Sequence, residues 1–188
     1  MNTISRMALA ATTTTLALAA PTAAFAQDED KPIEVSVGAT AGIHDLGVGD
    51  DFATIGGSPI DDSGEIFGGF VAVDTSVTDN LFVGVEGNAS FGTGPIDAEY
   101  GASARFGYRA EDGSKIYLRG GYQWVDLDLA NLIDLPATAL PAGLPDTVDD
   151  YLVGAGVEVP LGQVLLRANL DTISFDTVRA TAGIGFKF

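Results

Sequence analysis

Apolar and polar residues alternate with period two along most of this chain. The first stretch is the clearest. Ile33, Val35, Val37, Ala39, Ala41 and Ile43 share one parity, while Glu34, Ser36, Gly38, Thr40 and Gly42 share the other. Such alternation predicts a β-strand with one apolar face. The pattern returns seven times, predicting strands near 66–74, 81–91, 97–108, 115–125, 151–159, 163–171 and 178–188. No later segment is an apolar run long enough for a spanning helix.

The other parity has its own character. Glu34, Glu86, Glu99, Arg105, Arg119, Glu158, Arg167 and Arg179 all fall on it, with glycines such as Gly84, Gly101, Gly107, Gly154 and Gly156. Two arrangements share this pattern. A soluble sandwich or lipocalin-like barrel buries the apolar face and wets the charged one. A membrane barrel turns the apolar face outward to lipid.

Three features favour the membrane barrel. Aromatics gather near strand ends: Phe67, Phe91, Tyr100, Trp124 and Tyr151 at one end, Tyr108, Phe186 and Phe188 at the other. That distribution matches two interfacial girdles. Connections near 75–80, 110–114 and 160–162 are short, whereas 44–65 and 126–150 are long. Finally, the core of a sandwich would rarely hold so much glycine and so few large side chains.

Residues 1–26 read as an export signal rather than a fold element. Arg6 starts it, an apolar and threonine-rich segment runs from Met7 to Ala20, Pro21 breaks it, and Ala24-Phe25-Ala26 supplies a cleavage site. Residues 27–32 then form a short periplasmic segment and 33–188 a single all-β domain, an eight-stranded antiparallel transmembrane barrel. Composition agrees. The absence of cysteine removes disulfides and thiolate chemistry. A formal net charge of −17 argues against nucleic acid as a partner. Yet hydrophobic residues make up 46% of the chain, so it is not disordered.

Several segments resemble the small opacity-type, porin-like outer-membrane β-barrel family. They are Asn80-Leu81-Phe82-Val83-Gly84-Val85-Glu86-Gly87, Ala104-Arg105-Phe106-Gly107-Tyr108, Ile116-Tyr117-Leu118-Arg119-Gly120-Gly121-Tyr122 and Val153-Gly154-Ala155-Gly156-Val157-Glu158. The end of the chain, Thr181-Ala182-Gly183-Ile184-Gly185-Phe186-Lys187-Phe188, looks like a terminal assembly signal. Its marks are Thr181, Gly183, Phe186 and Phe188. The resemblance implies a Gram-negative outer-membrane protein, delivered by the barrel-assembly machinery, surrounded by lipid and monomeric. It also implies an acidic residue after Arg167-Ala168, where this chain has Asn169. No peptidoglycan-binding domain is expected beyond strand 8.

Candidate chemistry is sparse. Glu86, Arg105, Tyr117, Arg119, Glu158, Arg167 and Arg179 are expected to form a charge network filling the lumen, because eight strands leave room only for side chains. The long loops are acidic and lack Lys or Arg. Asp45, Asp50, Asp51, Asp61, Asp62 and Glu65 are assigned to the first. Asp126, Asp128, Asp134, Asp146, Asp149 and Asp150 are assigned to the third. They read as a solvated rim rather than a metal site, having no EF-hand-like spacing. The third loop also carries Leu127, Leu129, Leu132, Leu135, Leu140 and Leu144, and a short helix at the mouth is expected there.

No cofactor is implied. His44, the only histidine, sits beside Asp45, and Ser90 has inward parity; a nucleophilic triad would need them together. The expected role is therefore structural or surface-interacting and not catalytic. The alternatives are a narrow porin-like channel and, more distantly, a lipid-modifying enzyme.

Overall fold

In the computed structural model, residues 33–47, 54–55, 58–59, 62–128 and 147–188 are described. Eight antiparallel strands close into a barrel. They are β1 (Ile33–Asp45), β2 (Ser63–Ser76), β3 (Leu81–Gly92), β4 (Ile96–Arg109), β5 (Lys115–Leu127), β6 (Thr147–Leu161), β7 (Val164–Ile173) and β8 (Val178–Lys187). A two-residue ribbon pairs Thr54–Ile55 with Ser58–Pro59 in the first long connection. The expected export signal, segment 27–32 and the leucines at 129–144 lie outside the described residues.

Each strand follows its neighbour in sequence, and β8 returns to β1, where Ser36 pairs with Lys187 and Asp45 with Val178. Closure leaves no strand edge exposed within the belt, as a spanning sheet requires where backbone groups find no water. The short turns join β2 to β3, β4 to β5 and β6 to β7. In the second, Gly113 adopts a φ of 82°. There Ser114 donates its backbone N–H (2.9 Å) and its hydroxyl (3.1 Å) to Asp112. Those two bonds hold the Asp112 carboxyl below the usual carboxylate range.

Exposure agrees with the outward apolar face expected from the aromatics, connections and glycines. Leu118 is 65% exposed on the outside, whereas the Arg105 side chain is 0% exposed within. The protein is thus apolar outside and charged inside. The expected aromatic ends are also seen as neighbouring pairs, Phe67 with Phe91 (centroids 6.1 Å apart) and Tyr100 stacked on Trp124 (5.7 Å).

Several boundaries differ from expectation. β6 begins at Thr147 instead of 151, and β5 runs to Leu127. Asp126, Asp149 and Asp150 therefore belong to strands rather than to the third loop, as do Asp45 and Glu65 on the first. The reason is physical. Above the apolar belt both faces of a hairpin meet water, so alternation fades while the backbone ladder continues. Two other connections at the same end of the barrel, 93–95 and 174–177, are short, so only half of the loops at that end are long.

Candidate functional site

The lumen is the candidate site. Its side chains come from the inward parity of all eight strands, and they form one connected set. Arg105 reaches Glu86 (2.9 Å), Glu158 (2.8 Å) and Asp74 (3.5 Å). Arg119 reaches Glu86 (2.5 Å), and Arg167 reaches the same carboxylate (2.6 Å). Towards the short turns, Lys115 bonds Asp74 (2.6 Å) and Glu34. Towards the long loops, Arg179 bridges Asp171 (3.2 Å) and Glu99 (3.3 Å).

Tyr117 ties the charges to neutral groups. Its hydroxyl donates to Asn169 Oδ1 (2.6 Å) and accepts from Arg167 Nη2 (2.9 Å), and its ring lies 4.1 Å from the Arg105 guanidinium carbon. Arg167 also stacks over Phe70, 3.8 Å from the ring centre. Cationic faces against rings add to the ion pairing where water is excluded.

All seven residues expected in the lumen lie in it: Glu86, Arg105, Tyr117, Arg119, Glu158, Arg167 and Arg179 are buried. Sequence reasoning did not carry Asp74, Glu99, Lys115, Asp171 and His44 into the network. The parity that found the others would have found these, because each has the inward parity of its strand. The departure at Asn169 is resolved two residues on. Asp171 supplies the strand β7 acid, and Asn169 accepts the Tyr117 hydroxyl instead.

Inward glycines decide which residues meet. Arg119 on β5, Gly154 on β6 and Asp171 on β7 are in register across three strands. Gly154 has no side chain, so the two outer residues bond across it; a Cβ there would sit 2.0 Å from Asp171 Oδ1. Tyr117, Gly156 and Asn169 repeat the arrangement. So do Arg105, Gly84 and Asp74 on β4, β3 and β2.

The charges balance within the barrel. Arg105, Arg109, Lys115, Arg119, Arg167 and Arg179 face Glu34, Asp74, Glu86, Glu99, Glu158 and Asp171. Three basic residues, Arg6, Lys31 and Lys187, remain elsewhere in the chain. The net charge of −17 is accordingly carried outside the lumen.

The inside is not lined by charge and glycine alone. Ile66, Ile96, Val125, Leu152 and Ile173 form a buried apolar cluster at the long-loop end, with Leu46 and Leu127 against it. Phe70, Ala72 and Leu165 form another lower down. A polar cavity of about 20 Å³ is left among Glu86, Glu99, Arg119, Arg167 and Arg179. That is room for about one water.

The sequence places His44 at the outer end of the first strand, beside Asp45. It lies within β1, faces inward and is fully buried. Its Nδ1 is 3.0 Å from Glu99 Oε2, and Nε2 has no hydrogen-bond partner among the described residues. The ring therefore closes one end of the charge network.

No family model matches the chain, and no curated protein sequence matches it. Solved structures do. Ail, the attachment invasion locus protein of Yersinia pestis, in complex with the heparin analogue sucrose octasulfate, is 13% identical with a TM-score of 0.50, over 84% of this chain and 98% of that one. The N-terminal β-barrel domain of Pseudomonas aeruginosa OprF is 13% identical with a TM-score of 0.50, over 82% and 97%. Neisserial surface protein A is 18% identical with a TM-score of 0.47, over 84% and 99%. At these identities the likeness is one of fold: the chain has the small eight-stranded barrel architecture found in outer-membrane proteins.

Proposed function

We propose that this chain is an exported, integral protein of the outer membrane, monomeric, non-catalytic and closed to solutes, whose role is structural or lies in contacts made by its outer end. The observation that carries the reading is the filled lumen. Five buried cations and five buried carboxylates pair across it, and an apolar cluster lies at the long-loop end of the network. Eight strands leave an interior that side chains alone can fill. A porin needs the opposite, a continuous water-filled path.

The apolar exterior supports membrane residence. Valines, leucines, isoleucines and aromatics stand exposed between the two ends, and in water such a surface would drive aggregation. The burial of His44 beside Glu99 supports a structural role for the one histidine rather than an enzymatic one. Thr181, Gly183, Phe186 and Phe188 serve in this reading as the signal taken up by the assembly machinery. The acidic outer end, free of Lys and Arg in sequence, is the surface available to partners.

The test is single-channel conductance in a planar bilayer. Silence in the wild-type protein is expected. A large, steadily open conductance would overturn the closed-barrel reading and favour a pore.

A further inference from the structure

β6 outruns its neighbour. It pairs with β5 up to Thr147, opposite Asp126, but its pairing with β7 ends at Leu152, opposite Ile173. Among the described residues one backbone bond continues the second ladder, from Ser174 N–H to the Tyr151 carbonyl at 3.0 Å. Backbone groups alternate in direction along an antiparallel strand. Those of Thr147 and Asp149 therefore point the same way as the Tyr151 carbonyl, towards the side where β7 is absent.

The reason β7 stops is local. Ser174 and Phe175 have φ of 60° and 68°, a left-handed conformation unusual for side chains of these types. The Thr177 hydroxyl donates to the Ile173 carbonyl (3.1 Å) and accepts its N–H (3.2 Å), so the connection turns at once into β8. The chain thus peels off β6 and cannot extend along it.

We propose that Thr147–Asp150 is a pairing edge for an extended, lysine- or arginine-bearing segment of another polypeptide. An added strand would find both backbone and side-chain partners. Val148, Tyr151 and the nearby Phe175 are 54%, 67% and 76% exposed, offering apolar contact. Asp149 and Asp150 lie on opposite faces of the edge, and Asp176 is in the adjoining turn. The outer connections hold no basic residue to neutralise them. Tyr122 donates to Asp149 and the Tyr151 N–H to Asp150 (2.6 Å), which orients these carboxylates while leaving acceptor sites. Charge complementarity selects a cationic strand, and edge pairing supplies the main-chain bonds.

The proposal rests on the surface-contact reading above and makes its edge and partner chemistry specific. The probe is a fluorescent octapeptide alternating Lys and Val, titrated by anisotropy against the full barrel in nanodiscs, where both ends are accessible. Heat-modifiable migration checks folding of every variant. Saturable binding is expected. Methylating alternate backbone nitrogens of the peptide, with its charge kept, should weaken it about tenfold or more. Asp149→Asn should weaken binding and its loss with salt should flatten. Asp149→Pro, which also removes an N–H on the open side, should weaken it further. Absent binding, equal binding of the methylated peptide, or a proline variant equal to Asp149→Asn would each overturn the pairing edge. None of these results bears on membrane residence or orientation, which are read on whole cells.

Discussion

Arg119 and Asp171 bond across a strand that lies between them. The guanidinium Nε donates to Oδ1 at 2.7 Å and Nη2 donates to Oδ2, although Arg119 is on β5, Asp171 on β7 and Gly154 of β6 stands in register between. Strands are spaced about 4.8 Å apart, so this contact spans two spacings and depends on a long side chain and a missing one. The network is built from such contacts.

Asp171→Ala leaves Arg119 and Arg179 without a shared carboxylate. Removing one partner of a buried pair costs about 3–5 kcal/mol. The urea midpoint for unfolding from lipid vesicles, followed by tryptophan fluorescence, should fall accordingly. An unchanged midpoint would show that these pairs contribute no stability.

Gly154→Val should be as harmful as losing the carboxylate, because its Cβ would collide with Asp171 Oδ1. Gly120→Val is the matched control on the outward face of β5, where the nearest atom to an added Cβ is the Leu152 carbonyl oxygen at 3.9 Å. Folded yield after refolding into detergent should drop for the first and hold for the second. Equal yields would mean that the lumen gives way more easily than its contacts imply.

Arg119→Ala shortens a side chain that crosses the lumen, and small, intermittent conductance is expected where the wild type is silent. Planar-bilayer recording of both proteins checks this. A silent variant would assign closure to the apolar cluster around Ile66 and Leu152 instead of to the ion pairs.

Membrane residence predicts that the protein stays with the envelope after alkaline extraction and migrates differently when unheated. Recovery as soluble periplasmic material would defeat the proposed localisation.

Orientation is checked with inserted epitopes. An even strand number returns the chain to its starting side. Antibody should therefore reach an epitope at Gly57 on intact cells and miss one at Gly113, in the turn between β4 and β5. Reversed labelling would invert the topology.

Much of this barrel was legible in the order of its residues. Period two assigns Glu86, Arg105, Tyr117 and Arg167 to one face because a strand's side chains alternate strictly, whatever the strand pairs with. The same parity holds for Asp74 and Asp171, which escaped notice only because they sit near strand ends. Pairing itself was not legible. Which acid meets Arg119 depends on register across two neighbouring strands and on Gly154 between them, and registers are set when the sheet closes. Period two is also blind to which inward side chains meet, so His44 beside Glu99 and the apolar cluster of Ile66, Ile96 and Leu152 emerge only in three dimensions. Beyond the belt the pattern itself disappears. Asp149 and Asp150 read as loop residues because water bathes both faces of their hairpin, and a strand held by backbone bonds alone leaves no periodic mark on its side chains.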